Sequence, residues 1–294
     1  MINLLQFSIL GLLRGGLYSL IGITIVLVFK SSKVVSIAHG QLLAFGALFF
    51  WIFLEGWGCP FLISLLLAII LAGLMGYFSE RFTMRPLIGQ PLFTSFLMTF
   101  ALFMFLDGAF QLYLAGQTRA YPPFLPQGAW NFSGVIVPKG QFVSFLISLL
   151  LFFILALFFK YTKAGLGMRA TAEDHRLAQS AGVSVRNIFT FIWIISSMVA
   201  AISGIALASV TDIYYPLPYY GIKGLIVALF GGMESIGGAL LAGLLLGLFE
   251  NISAGYLDPV LGGGVKDMAS YVMLLVILLV KPHGLFGLAR IERL

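Results

Sequence analysis

The stretch "GLLRGGLYSLIGITIVLVFKSSKVVSIAHGQLLAFGA", residues 11–47, decides how this chain folds. Residues 10–29 form an apolar run carrying a single charge, Arg14, and match the ~20 residues a helix needs to cross hydrocarbon. A polar knot of Ser36, His39 and Gln41 then interrupts the chain before the apolar run resumes. The rest keeps the same character: 60% of the 294 residues are hydrophobic and 10% charged. A soluble domain carries about a quarter charged residues, so this is an integral membrane protein. The runs 61–78, 92–114, 142–159 and 188–210 approach spanning length. The later runs 222–230, 239–249 and 268–280 are shorter and predict tilted, broken or re-entrant helices.

A net charge of +6 is distributed over short loops rather than along one stripe, which points to orientation in a membrane and not to nucleic acid. The densest positive segment, "KYTKAGLGMRATAEDHRLAQSAGVSVRN" (160–187), carries Lys160, Lys163, Arg169, Arg176 and Arg186, so the positive-inside rule places it in the cytoplasm. Arg81 and Arg85 then fall inside, Arg119 and Lys139 lie in an external loop rich in Pro and aromatics, and the N-terminus is external. The tail with Lys281, Arg290 and Arg293 falls inside. The expected fold is all-α: a polytopic bundle of about eight transmembrane helices, forming one domain over residues 1–294. Stripes of small residues (Ala68, Ala72, Gly76; Ala239, Gly243, Gly247; Gly11, Gly15) predict faces where helices approach closely in lipid. "SIAHGQLLAFG" at Ser36 and "SIGGALLAG" at Ser235 start alike and hint at an internal repeat.

The chain has none of the motifs HExxH, GxSxG or GxxxxGK[ST], and its adjacent acids Glu173 and Asp174 do not face each other as a catalytic pair would. No enzyme activity is expected. The lone Cys59 cannot form an intrachain disulfide, and His39, His175 and His283 have no metal-ligand spacing. The N-terminal run lacks a basic leader and a cleavage site, so it is expected to stay as a helix. In the cytoplasmic segment, Gly165 and Gly167 lead into an Ala-rich charged helix of about three turns stopped by Gly182, a loop too long for a plain connection. Gly165, Gly167, Arg169, Ala170, Thr171, Ala172, Glu173 and Asp174 are its candidate docking residues, with Arg169 offering a guanidinium to a partner acceptor.

These stretches, with "GIKGLIVALFGGMESIGGALLAGLLLGLFE" and "KPHGLFG", resemble the branched-chain amino acid ABC transporter permease family, in particular its shorter permease subunit. The similarity runs in order along essentially the whole chain. Residues 36–41 are similar to the family's Asn-Phe-Ala-His-Gly-Glu signature, with Ser36 in place of the usual Asn and the neutral Gln41 in place of the usual Glu. The resemblance implies a multi-pass subunit of an ABC importer in a bacterial-type inner membrane. It implies a heterodimer with a second permease subunit, two cytoplasmic ATPase subunits holding ATP and Mg, and an extracytoplasmic substrate-binding protein. This chain itself binds no cofactor on that reading. Hydrophobic amino acids are the implied substrates; urea, short amides or sugars are carried by relatives, and an ATP-independent carrier or channel is the other class.

Two readings of the knot stay open. Ser36, Ala38, His39, Gly40 and Gln41 form either an interrupted helix start whose polar groups face the translocation path, or an ordinary cytoplasmic turn with Ser36 as N-cap. Arg14 and Asp107 are the charges most clearly inside apolar runs. At a rise of about 1.5 Å per residue they come to similar depth, which predicts an ion pair, direct or through water.

Overall fold

The computed structural model describes residues 2–132, 134–173 and 175–287. Arg290 and Arg293 lie outside the described residues, as does Asp174. The chain is built of helices: α1 (Ile2–Ser32), α2 (His39–Trp51, continued by a π turn over Ile52–Gly56), α3 (Phe61–Phe78, continued by a π turn over Ser79–Met84) and α4 (Leu92–Leu114). A short antiparallel hairpin, β1 (Ala129–Phe132) with β2 (Val135–Pro138), pairs Trp130 with Val137. Then follow α5 (Lys139–Tyr161), the short α6 (Lys163–Glu173) and α7 (His175–Ser180), α8 (Val185–Thr211), α9 (Tyr220–Gly231, entered through a 3-10 turn at Leu217–Tyr219), α10 (Ile236–Leu261) and α11 (Val265–Val280).

Seven of these helices are long and apolar enough to cross a membrane, and Leu217–Gly231 is a shorter apolar one. The polytopic all-α reading therefore holds, with a different membership from the one expected. The segment His39–Gly56, which opens on the polar knot, is itself a full-length span, whereas the run 268–280 becomes the 16-residue α11. The hairpin is an unanticipated β element inside the Pro-rich loop. It ties down the start of α1, because the Gln6 side chain donates to Ile136 O at 2.7 Å and accepts from Ile136 N at 2.6 Å.

Helix α1 is apolar on every side, which marks a helix surrounded by protein rather than one with a solvent face. It is buried over most of its length from Gly11 to Val28 and packs on α5, α8, α9 and α10, while α3, α4 and α5 are exposed over most of their surface. Its closest neighbour is α10, and the contact is glycine on glycine. A Cβ on Gly15 would stand 2.6 Å from Gly243 O and 2.7 Å from Leu244 Cα; one on Gly11 would stand 2.7 Å from Gly247 O. Gly11 meets Gly247 and Gly15 meets Gly243, so the two helices run antiparallel. Ser19 Oγ adds a hydrogen bond to Leu240 O at 2.9 Å. The stripe on α3 does the same against α8, where a Cβ on Gly76 would meet Trp193 O at 2.5 Å.

A side chain at the α1–α10 seam meets backbone that cannot rotate away. Gly15→Val is therefore expected to lower stability by about 3 kcal/mol or more, at the upper end of overpacking costs. Gly108, with open space where a Cβ would go, is the control: Gly108→Ala is expected to gain roughly 0.5–1 kcal/mol. Thermal unfolding of the detergent-solubilised protein measures both, and equal midpoints for Gly15→Val and wild type would show that the seam yields.

Candidate functional site

After Ser32 the chain leaves helical geometry, with Lys33 in the left-handed region (φ 58°), and stays irregular to Ala38. Backbone freed in this way needs partners inside the bundle. Thr99 on α4 lies against it: its hydroxyl accepts from Ile37 N at 3.5 Å and is within 3.2 Å of Val35 O, sharing its proton with Phe96 O at 2.9 Å. At the foot of the segment Lys33 Nζ reaches Glu234 at 2.6 Å.

The knot itself is fully buried within the chain. His39 lies between two hydroxyls, Nδ1 2.9 Å from Ser36 Oγ and Nε2 3.0 Å from Ser196 Oγ of α8, with the Trp193 ring 5.3 Å away. Ser196 spends its own proton on Trp193 O at 3.1 Å, so it accepts from Nε2–H, and Ser36 is left to donate to Nδ1. Ser36 is thus not an N-cap, as the turn reading required. Ala38 holds that position with no side-chain cap bond, whereas Ser235 at the start of α10 does accept from Gly238 N at 2.9 Å. The two starts that look alike in sequence are built differently. Gly40 is helical rather than a turn residue; its lack of a side chain lets α2 touch the entry to α9, since a Cβ there would stand 2.2 Å from Pro218 O.

Gln41 reaches up to α4 and donates from Nε2 to Asp107 Oδ1 at 2.8 Å, and Gln111 donates to Oδ2 of the same carboxylate. Thr99 and Asp107 lie roughly 10 and 22 Å along α4 from its Leu92 end, so the knot occupies the middle of the bundle. A direct ion pair of Arg14 with Asp107 is not formed. No nitrogen of Arg14 comes within 4.0 Å of the carboxylate, and Arg14 instead lines a small cavity with Tyr18, Gln141 and Tyr220. Depth along a helix fixes height and not neighbours: α4 packs on α2, and α1 packs elsewhere.

Two charged clusters were missed in sequence. Lys223 of α9 bridges Glu250 of α10 at 3.1 Å and Asp267 of α11 at 2.9 Å; Glu250 also accepts from Tyr18 at 2.9 Å and from Ser270. Glu80 in the π turn after α3 is held by Arg85 through two bonds, at 3.1 and 3.0 Å, and by Thr190 of α8 at 2.9 Å. A Lys or Glu inside an apolar run is itself a signal, because such a group needs a partner. In the loop after α4, Tyr121 donates to Ala47 O at 3.2 Å. Burial pushes its phenol well above the ordinary range, which keeps it a donor.

In the segment 160–187, Gly165 and Gly167 lie inside α6 and not before it. Gly165 is pressed on the end of α5, where a Cβ would stand 2.3 Å from Phe159 O. Arg169 is committed within the chain: it donates to Phe159 O and lies 5.7 Å from the Phe159 ring, which Lys30 Nζ also covers at 4.7 Å. Thr171 is buried, Ala170 and Ala172 are half-buried, and Leu166, Glu173 and Leu177 are exposed. Gly182 stops the helical segment at φ 82°, with Val183 N bonded to Ala178 O at 3.0 Å.

Apolar helices around a buried polar interior, with a short polar helical pair between two spans, define a polytopic all-α membrane protein. Residues 8–281 match the family described as "Branched-chain amino acid transport system / permease component", and the chain belongs to that family. It is 29% identical over 303 residues to the high-affinity branched-chain amino acid transport system permease protein BraD of Pseudomonas aeruginosa, covering 98% of this chain and 97% of that one. The corresponding LivH proteins of Salmonella typhimurium and Escherichia coli are 28% and 27% identical, again over 98% of this chain and 97% of theirs.

The Lys223–Glu250 pair has a side-chain exposure of 12% and 0%. Removing one partner of such a pair typically costs about 3–5 kcal/mol, while replacing both with apolar groups costs far less. Lys223→Met is expected to show the full loss in an unfolding titration and Lys223→Met/Glu250→Met to recover most of it; a double variant as unstable as the single would refute the pairing as the cause.

Proposed function

We propose that this chain is the membrane permease subunit of an ABC importer for branched-chain and other hydrophobic amino acids, working by ATP-driven alternating access in a bacterial-type cytoplasmic (inner) membrane. The observation that carries this is the end-to-end match to branched-chain amino acid permeases over residues 8–281. On this reading the chain is not an enzyme. It pairs with a second permease subunit, two cytoplasmic ATPase subunits hold ATP and Mg, and an extracytoplasmic binding protein delivers the solute. The polar groups of Ser36, His39 and Gln41 belong to the moving interior near the path.

The proposed orientation puts the N-terminus outside and residues 160–187 inside. Termini on opposite faces need an odd number of crossings, and the seven long helices with α9 and the short α11 supply nine. The segment 160–187 then meets the ATPase. Leu166, Glu173 and Leu177 present the docking face, Ala170 and Ala172 let it come close, and Arg169 fixes α6 to the end of α5 instead of gripping the partner.

The direct test is uptake of leucine into proteoliposomes holding this chain with its partners. ATP-dependent, vanadate-sensitive uptake is expected, and uptake that persists without ATP would place the protein among secondary carriers or channels. Within the active complex, Ala170→Glu is expected to abolish uptake at least ~10-fold by spoiling the docking face, a loss of about 1.4 kcal/mol or more in coupling. Altered substrate preference with normal ATPase stimulation would remove 160–187 from the role of coupling segment.

A further inference from the structure

Among the described residues three acids are buried: Glu80, Asp107 and Glu250. Two of them are charge-compensated, Glu80 by Arg85 at 3.0 Å and Glu250 by Lys223 at 3.1 Å. Asp107, 6% exposed in the middle of a spanning helix, has no cation within 4.0 Å; its partners are the neutral amides of Gln41 and Gln111. A carboxylate inside a membrane bundle without a cation is costly and marks a functional position.

A second observation stands beside it. The carbonyl Oε1 of Gln41, in a side chain with no exposure, has no hydrogen-bond partner. Rotating the amide by half a turn does not help, because it would set Oε1 against the Asp107 carboxylate in place of the donating Nε2. Asp107 lacks a positive charge, and the amide bonded to it lacks a donor. One group supplies both at once: an ammonium, with a full charge and three N–H donors.

A cavity lies close by. A cavity of about 250 Å³ lies between the end of α4 and the loop before α9, lined by Gln111, Thr118, Tyr214 and Tyr215. Gln111 lines this cavity while its amide holds Asp107, so this one side chain connects the cavity with the buried carboxylate. Tyr215 lines the cavity with its ring 6.2 Å from that of Tyr219, and Tyr219 in turn lies 5.8 Å from Phe103, one turn below Asp107, so aromatic faces that suit a cation and an aliphatic side chain run from the cavity past the carboxylate. The orientation proposed above places this cavity on the external side.

We propose that Asp107 and Gln41 receive the ammonium group of the transported amino acid as it enters from the external cavity, making Asp107 a specificity-determining residue. This rests on the reading of the chain as an amino acid permease. Gln111 holds the carboxylate in place until the substrate arrives, and the Tyr pair selects for solutes that join a cation to an apolar body.

Leucine uptake in proteoliposomes of the full complex tests it. Asp107→Asn keeps the shape and removes the charge, and a neighbouring Gln amide can turn by half to accept from the new NH2; it is expected to assemble in the same yield and to lose uptake at least tenfold, with Asp107→Glu recovering part. Asp107→Asn with wild-type uptake overturns the proposal while leaving the permease reading intact, since an amide then serves as well as a carboxylate. A wild-type complex that moves only amine-free solutes overturns both. A measurement on the wild-type membrane complex, without binding protein, avoids any folding defect: 3-methylbutylamine, which keeps the amine, is expected to raise its thermal midpoint, and 4-methylpentanoate, which keeps only the acid, to leave it unchanged. Equal effects of the two compounds would exclude an ammonium site.

Discussion

Hydrocarbon offers no hydrogen-bond partner, and this constraint governs where every polar atom of the bundle sits. The irregular segment 33–38 finds partners for its backbone in Phe29 O, the Ser32 hydroxyl and Thr99 of α4. Glu250 is tolerable in a span because Tyr18, Ser270 and Lys223 surround it. The spans themselves follow the same rule on a smaller scale. Ser148, Ser197 and Ser203 each donate back to the carbonyl four residues earlier, so a hydroxyl in the bundle need not find a distant partner. Against this background Asp107 is the departure among the three buried acids of the described residues, and the Gln41 carbonyl beside it shares its lack of a partner with Gln141 Oε1 and Ser144 Oγ.

Close approach then replaces the hydrophobic effect as the force that joins helices, since lipid tails are as apolar as leucine. Glycine seams at α1–α10 and α3–α8 bring backbone against backbone. Helix α1 is shared between two packed clusters: Leu17, Leu20, Ile21 and Ile23 belong with α2 and α8, and Tyr18, Ile25 and Val26 with α9 and α10. A post that borders both clusters explains why α1 has no polar face.

Composition alone made the membrane class legible, because charge content does not depend on contacts. The small-residue stripes were legible for the same local reason, and each meets a partner backbone as expected. What sequence could not supply was which helices are neighbours. Arg14 and Asp107 share a depth, yet α1 and α4 pack on different partners, so the similarity in height led to a direct pairing that is not made. Gly165 and Gly167 read as hinges because glycine permits turns, whereas here α6 needs glycine for close approach to Phe159 and Ile188. Ser36 read as a cap because serine usually caps; His39, three residues on, took its hydroxyl instead. The knot's polarity was visible and its wiring was not, since Ser196 and Asp107 are 157 and 66 residues away from their partners.

The wiring also supplies a mechanical connection between the two ends of the proposed mechanism. Helix α6 packs on α1, α5 and α8, and Arg169 ties it to the last turn of α5. Helix α1 ends at Ser32, where the irregular segment leading into the knot begins, and α8 carries Ser196 to His39. Protein interiors are packed too densely to absorb a displacement locally, so movement imposed on α6 is passed to both α1 and α8. These are the two helices whose ends and side chains fix Ser36–Gln41, and Gln41 holds Asp107. On the proposed reading, a push at the docking face is carried toward Asp107, the one buried carboxylate among the described residues that has no cation of its own, where the solute is proposed to be gripped and released.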